Sequence, residues 1–225
     1  MPLRSGKVPR DAVHHPLFAR YYARVSVAAE TRMGMGRVRE RLLGGLSGRV
    51  IEIGAGNGLN FTHYPGTVAE VVAIEPERRL RQLAVEAALR AEVPVDVVPG
   101  AAEALPVKSE GFDAAVISLV LCSVRDVPRA LRELRRVLRP GGEVRFFEHG
   151  RGGGRVMTFT QRALDRTVWP PLSGGCHVAR EPVRALRDAG FELGPYRQMV
   201  MPEKGPRLPI SYCVLGTAWC PGVSA

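Results

Sequence analysis

Short apolar segments without polar–apolar alternation, separated by stretches of helical periodicity, constrain the fold of this chain most strongly. Continuous apolar segments are typical of parallel strands that are covered on both faces of a sheet. Their alternation with helices predicts a Rossmann-like, doubly wound α/β sheet. The predicted strands are 49–53, 70–74, 95–98, 112–121 and 143–148, with helices at 76–92 and 126–138.

The C-terminal part follows a different pattern. A predicted helix at 181–189 is followed by two strands, 197–201 and 210–218, with no helix between them. Adjacent strands joined by a loop rich in proline and glycine pair antiparallel. We therefore expect a seven-stranded sheet, mostly parallel, with a C-terminal antiparallel strand. Residues 150–175 fit neither pattern and are interpreted as an insertion over the sheet edge.

Length and composition favour a single domain. The chain has 225 residues, of which 45% are hydrophobic and 24% charged, and it is long enough to bury a core without covalent staples. We divide it into a basic helical arm, a core, an insertion, and a C-terminal helix with a strand pair (1–45, 46–150, 151–180 and 181–225). Four cysteines without CxxC spacing predict reduced thiols, a cytoplasmic location and no metal site.

The formal net charge of +10 is distributed unevenly. The first 41 residues contain nine basic and three acidic side chains, so the arm carries most of the excess. Such an arm can contact nucleic acid, an anionic membrane surface or an acidic substrate, or can simply be solvated. The longest apolar run, 114–122, is far shorter than the roughly 20 residues of a membrane-spanning helix. No spanning segment is therefore predicted.

A glycine-rich loop and a carboxylate mark the predicted ligand crevice. Gly54, Gly56 and Gly58 follow the first strand in GxGxG spacing, where glycine permits a tight turn and a close approach of ligand to backbone. Glu75 ends the second strand about 20 residues later, the position from which a carboxylate binds ribose hydroxyls. Each feature also has a structural explanation without a ligand. The glycines could simply form a tight turn between strand and helix, and Glu75 could be a carboxylate at a helix N-terminus. Together they predict a nucleoside ligand.

Five segments in this order resemble class I S-adenosylmethionine (SAM)-dependent methyltransferases: 50–58, 73–76, 100–106, 111–114 and 134–142. Within that superfamily, residues 119–124, 147–149, 169, 175–176 and 180–181 resemble the alkyl-thiol methyltransferases. The resemblance implies SAM as the cofactor. It also implies a set of cofactor-binding residues around the amino-acid, ribose, adenine and methionine portions: Glu52, Gly54, Ala55, Gly56, Gly58, Glu75, Pro76, Ala102, Glu103, Ser118, Leu119 and Val120.

Methyl transfer from a sulfonium needs in-line approach, and it needs a base only when the acceptor carries a proton. His149, at the end of the fifth strand, is the candidate base or substrate orienter; a histidine that is hydrogen-bonded inside the fold is the plain alternative. Tyr21 and Tyr22, with His14 and His15, could close over SAM as a lid. The other acceptor-pocket candidates are Cys122, Trp169, Cys176, His177 and Arg180.

The predicted function is methyl transfer from SAM to a small apolar or thiol-bearing molecule. C- or O-methylation of a quinone, lipid or natural product is the first alternative. An RNA or DNA methyltransferase is less favoured, because no Asp/Asn-Pro-Pro-aromatic run follows the fourth strand. A SAM-binding module without turnover and an NAD dehydrogenase are weaker readings. The basic arm leaves peripheral membrane contact open, and the oligomeric state is also open.

Overall fold

The computed structural model describes residues 16–222. Within them, seven strands form one sheet in the order β3-β2-β1-β4-β5-β7-β6. The strands are β1 (Gly48–Ile53), β2 (Val68–Ile74), β3 (Val95–Val98), β4 (Phe112–Ser118), β5 (Leu138–His149), β6 (Glu192–Val200) and β7 (Tyr212–Trp219). The helices are α1 (Pro16–Arg32), α2 (Met35–Leu43), α3 (Arg78–Ala88), α4 (Val127–Val137), α5 (Arg155–Asp165), α6 (Trp169–Leu172) and α7 (Pro182–Asp188).

The pairing of the strands confirms the predicted sheet. Strands β1 to β5 pair parallel, whereas β7 runs antiparallel to both of its neighbours, β5 and β6. The strand order reverses between β1 and β4, the arrangement that opens a crevice at the carboxyl ends of parallel strands. The ends of β1, β2, β4 and β5 therefore define where a ligand can bind.

Hydrophobic cores cover both faces of the sheet, because successive strand residues point to opposite sides. On one face, Ile51 and Ile53 pack with Leu131 and Leu134 of α4. On the other face, Val50 belongs to a core that also contains residues of α2 and α3: Leu42, Leu43, Ala84 and Ala87. This two-sided burial explains why the central strands are apolar without alternation.

Several boundaries differ from those predicted. The fourth strand ends at Ser118 rather than at residue 121, because Leu119 has a φ of 58°, outside the β region. Strand β6 begins at Glu192, five residues earlier than expected, and a 3₁₀ turn at Pro209–Ser211 delays β7. The predicted irregular insertion contains two helices, α5 and α6, which follow β5.

The N-terminal arm is helical where the structure describes it, in α1 and α2. His14 and His15, which were predicted to belong to a lid, lie outside the described residues. Over the described part of the chain, no helix combines the length and the apolar character needed to cross a membrane.

Candidate functional site

The glycine loop makes a close turn directly after β1. Gly54, Gly56 and Gly58 have φ values of 69°, 59° and 78°, which glycine adopts without steric cost. A Cβ atom at Gly54 would lie 2.6 Å from a Val120 methyl carbon, and one at Gly58 would lie 2.7 Å from the Ala87 Cβ. The Gly54 and Ala55 amides both donate to the Ile74 carbonyl oxygen. The loop is therefore a tight backbone cradle held against the end of β2.

Glu75 closes this cradle from the end of β2. Its side chain accepts hydrogen bonds from the Gly56 amide (2.7 Å) and the Glu77 amide (2.9 Å), one on each carboxylate oxygen. The residue is 5% exposed, and burial raises the pKa of Glu75 to about 7 against the opposing effect of those two amides. The Arg81 guanidinium donates hydrogen bonds to the backbone carbonyl oxygens of Glu75 and of the next residue, Pro76. A carboxylate at this position can accept further hydrogen bonds from a ligand.

Glu52 lies within β1 and bonds to side chains of the segment that follows the loop. Its two oxygens accept hydrogen bonds from Tyr64 Oη (2.7 Å) and Asn60 Nδ2 (2.8 Å). Burial raises its pKa to about 7, although the two hydrogen bonds and the charge of Arg39 lower it. Arg39 in turn bonds Asn60 and pairs with Glu30 of α1. Glu52 thus anchors a buried polar network that ties the glycine loop to the arm.

Helix α1 lies over the glycine loop. A Cβ atom at Gly56 would lie 3.4 Å from the Tyr22 ring, and Ser26 accepts a hydrogen bond from Asn57 at 3.1 Å. Burial raises the pKa of Tyr22, with further contributions from the charges of Glu75 and Cys122 and an opposing one from Arg39. The Tyr22 ring therefore packs against the glycine loop. Tyr21, in contrast, is 64% exposed.

The segment after β4 is fixed by Glu148, a residue that sequence reasoning did not select. The fully buried Glu148 carboxylate accepts hydrogen bonds from the amides of Val120 (2.7 Å), Leu121 (2.9 Å) and Cys122 (3.3 Å). The Leu119 amide donates to the Phe147 carbonyl oxygen at 2.7 Å. Burial raises the Glu148 pKa against these donors. Its sequence signal is a carboxylate that directly follows two buried phenylalanines, Phe146 and Phe147, near the end of β5.

Three predicted acceptor-site residues meet at the ends of β4 and β5. The ligand atoms of Cys122, His149 and Cys176 all lie within 4.8 Å of one another, and Cys176 Sγ is 3.4 Å from His149 Nδ1. A hydrogen bond between Cys122 and Cys176, together with burial, raises the pKa of Cys122 well above its usual value. Burial alone would lower the pKa of His149, but Cys122, Glu148 and Asp165 outweigh it and raise the value.

The other predicted acceptor residues surround this cluster or support it. Trp169 packs against Cys122 and Cys176. The His177 ring bonds the Gly175 carbonyl oxygen at 2.8 Å. The His177 backbone amide donates to the Cys122 carbonyl oxygen, also at 2.8 Å. Arg180 donates to the carbonyl oxygens of Leu121 and Val124. His177 and Arg180 therefore hold the two loops together through backbone atoms.

The residues expected near adenine and methionine lie in the segment after β3 and at the end of β4. Ala102 is buried, whereas the Glu103 carboxylate accepts hydrogen bonds from the Arg125 and Asp126 amides at the start of α4. Ser118 is the last residue of β4 and pairs with Phe147 of β5. Glu103 is therefore engaged through its side chain at the N-terminus of α4.

Comparison with known proteins identifies the family. Residues 51–146 match the family described as "Methyltransferase domain". Human thiol S-methyltransferase TMT1B is 33% identical over 78% of this chain and 73% of its own length. Human TMT1A is 35% identical over 65% of this chain, and the match spans only 62% of that protein. The quinone C-methyltransferase UbiE of Syntrophotalea carbinolica ("ubiquinone/menaquinone biosynthesis C-methyltransferase") is 31% identical over 71% of this chain and 70% of its own length.

A solved structure shares the fold. A SAM-dependent methyltransferase from Thermotoga maritima, described as a possible histamine N-methyltransferase, superposes with a TM-score of 0.65 at 23% identity, over 91% of this chain and 98% of the other. The sheet order, the glycine cradle and these similarities agree with one another. The chain belongs to the class I SAM-dependent methyltransferases.

Proposed function

We propose that this enzyme transfers the methyl group of SAM to a small-molecule thiol. The observation that carries the proposal is the position of His149, at the carboxyl end of β5 and 3.4 Å from a sulfur atom. That sulfur belongs to Cys176. An imidazole at the carboxyl end of a parallel strand, where ligands bind in this fold, is suited to receive or position the proton of an acceptor thiol. The similarity to two thiol S-methyltransferases supports the same acceptor class.

The residues of the cradle fit SAM. A Cβ atom at Gly54 or Gly58 would collide with neighbouring side chains, so the tight turn after β1 requires glycine at these positions, and in this proposal the amino-acid portion packs beside that turn. Glu75 is a buried carboxylate with unused acceptor capacity, suited to the ribose hydroxyls. In this proposal Gly54, Ala55, Gly56 and Gly58 line the cofactor side. SAM supplies an electrophilic methyl group when bound.

The remaining residues position the acceptor. We assign Leu119 and Val120 to the methionine side, because they follow β4 beside the glycine loop. Tyr22 and Trp169 are assigned to the acceptor side, where apolar rings exclude water. Holding the two reactants in line can contribute about 7–11 kcal/mol to lowering the barrier. A thiol has a pKa near 8.5 and is therefore mostly protonated at neutral pH. The site then has one proton to remove from the acceptor.

An acceptor panel tests this proposal. The protein is incubated with SAM and with matched alkyl thiols, aryl thiols, quinols and catechols, and S-adenosylhomocysteine is quantified for each. We expect S-adenosylhomocysteine and a methyl thioether with at least one thiol class. A Glu70→Gln variant, changed at the far end of β2, is the matched control and should retain full activity. Thiols that never exceed the acceptor-free background would refute the thiol assignment.

Quinone methylation is the second candidate function. It is favoured by the similarity to UbiE, whose name states C-methylation in ubiquinone and menaquinone biosynthesis. The same panel separates the two candidates, because the quinol arm would then yield a methylated carbon product and the thiol arm would yield none.

A further inference from the structure

We propose that Cys122, His149 and Cys176 form a Zn²⁺ site with one coordination position open to the cleft. Two thiolates and one imidazole are ligands that zinc prefers, and catalytic zinc sites combine three protein ligands with one exchangeable position. The absence of CxxC spacing led to the expectation that no metal binds. That spacing rule considers only neighbours in sequence, whereas these three ligands come from three separate segments.

The distances in the cluster suit a tetrahedral ion. Zinc bonds of about 2.3 Å to sulfur and about 2.0 Å to nitrogen place ligand atoms roughly 3.5–3.8 Å apart. Cys176 Sγ and His149 Nδ1 are 3.4 Å apart, and all three ligand atoms lie within 4.8 Å of one another. Small side-chain rotations would bring them onto one ion without movement of the backbone.

Hydrogen bonds fix the backbone around the cluster before any metal binds. The Cys122 amide donates to the Glu148 carboxylate, and the Cys122 carbonyl oxygen accepts a hydrogen bond from the His177 amide. Arg180 bonds the carbonyl oxygens of Leu121 and Val124 and so joins the two cysteine loops. Outer groups that orient the ligands in this way are typical of metal sites. The cysteines are thus held in register by contacts that do not involve their sulfur atoms.

The surroundings favour a bound group as well. Cys122 and Cys176 are 2% and 6% exposed, and with Val178, Leu119 and Trp169 they form a small apolar cluster. The buried Trp169 Nε1 has no hydrogen-bond partner among residues 16–222. A buried donor without an acceptor is costly, and we expect a group held at the open position to supply one.

The site also gives the acceptor a specific role, which rests on the proposed thiol methylation. A thiol that takes the fourth position loses its proton to solvent, because metal coordination deprotonates thiols. His149 is then a metal ligand that positions the thiol and does not accept its proton. The acceptor sulfur then uses a lone pair to form the new S–CH₃ bond. The old CH₃–S⁺ bond breaks, and its electron pair stays on the leaving sulfur as a neutral thioether. The methyl thioether product is uncharged and dissociates from the ion.

Zinc titration of the full chain, stripped with a chelator and kept reduced, tests the site without any methyl acceptor. We expect one equivalent of Zn²⁺ to bind and to protect two thiols from alkylation. Co²⁺ should give the visible bands of a tetrahedral ion and a thiolate charge-transfer band. Cys122→Ser, Cys176→Ser and His149→Ala should each weaken zinc binding at least tenfold. Cys220→Ser, at the opposite end of β7, is the matched control and should bind as the parent does.

The site would be overturned if the three ligand variants bound zinc as tightly as the Cys220→Ser control. It would also be overturned if the parent protein bound no zinc. Circular dichroism of each variant separates lost ligands from lost folding, and the cobalt spectrum of any folded variant gives a second readout. Thiol methylation at full rate by metal-free protein would overturn the role at the fourth position. Stoichiometric zinc binding without methylation of any thiol would support the site and count against the proposed function alone.

Discussion

At the scale of single residues, two buried carboxyl groups behave alike in titration but differ in their contacts. Burial raises the pKa of both Glu52 and Glu75 to about 7. The folded chain therefore holds these protons more tightly than the unfolded chain, and each group lowers the free energy of unfolding as pH rises from about 4.5 to 7. Glu52 uses its oxygens on Asn60 and Tyr64, whereas Glu75 bonds only backbone amides and faces the glycine loop.

Replacing Glu75 tests the ribose assignment. We expect Glu75→Ala to weaken binding of S-adenosylhomocysteine by more than about tenfold, because hydrogen bonds to a charged acceptor contribute roughly 1.5–3 kcal/mol each. Isothermal calorimetry measures the dissociation constant, and Glu70→Gln on the same strand provides the control. Unchanged affinity in a folded Glu75→Ala protein would remove Glu75 from the cofactor site.

The pKa of Glu75 also predicts how cofactor binding depends on pH. Ribose hydroxyls donate hydrogen bonds and therefore prefer the ionised carboxylate, so binding below about pH 7 must first release a proton. The affinity for S-adenosylhomocysteine should rise between pH 6 and 7.5 and level off above pH 8, with a slope of at most about tenfold per pH unit. Glu75→Gln should flatten this profile. An affinity that falls as pH rises would contradict the assignment.

At the scale of elements, the segment between β4 and α4 depends on β5. Leu119 leaves the strand conformation, and the following amides turn toward one carboxylate on the neighbouring strand. This arrangement ends β4 three residues earlier than its apolar sequence predicts. It also brings Cys122 to the end of β5 beside His149, where the proposed chemistry occurs.

Removing that carboxylate should destabilise the fold measurably. Glu148→Ala leaves three buried amides without an acceptor, and we expect it to lower the free energy of unfolding by roughly 3 kcal/mol or more, since each unsatisfied group costs about 1–3 kcal/mol. Urea denaturation provides the measurement. Glu143→Ala, at the start of the apolar part of the same strand, breaks only a partly exposed pair with Arg145 and should cost about 1 kcal/mol or less. Equal losses in the two variants would show that Glu148 is not the anchor of this loop.

At the scale of the whole molecule, the insertion presents an apolar and basic surface to solvent. Val156 and Phe159 of α5 are 82% and 74% exposed. Arg155, Arg162 and Arg166 are exposed beside them. Amphipathic surfaces of this composition bind anionic membrane interfaces through apolar contact and charge attraction. This is the form of peripheral contact that we propose for the chain.

Vesicle sedimentation tests this contact. We expect the protein to bind vesicles containing anionic lipid and to bind neutral vesicles more weakly, with binding reduced by added salt. A Phe159→Ser and Arg162→Gln double variant should lose most of the binding, whereas Val85→Ser on exposed α3 should not. Indifference of the binding to lipid charge would count against the contact.

Local sequence patterns predicted most of the fold. The features that were not predicted depend mainly on contacts between residues far apart in sequence. Apolar strands and the GxGxG turn depend on neighbours in sequence, so the sheet and the tight turn after its first strand were predictable. The bonds of Glu148 to Val120, Leu121 and Cys122 span at least 26 residues, and no local pattern encodes them. The same holds for the meeting of Cys122, His149 and Cys176. The two helices of the insertion were missed because three consecutive glycines precede α5 and two prolines lie within α6.

The most direct test of the central claim follows a labelled methyl group. The protein is incubated with SAM carrying an isotopically labelled methyl group and with the thiol selected from the panel, and both products are quantified by mass spectrometry. We predict labelled methyl thioether and S-adenosylhomocysteine in a one-to-one ratio, at a rate that falls in the Glu75→Ala variant and not in Glu70→Gln. Label on a quinol carbon, with no labelled thioether from any thiol, would contradict the account.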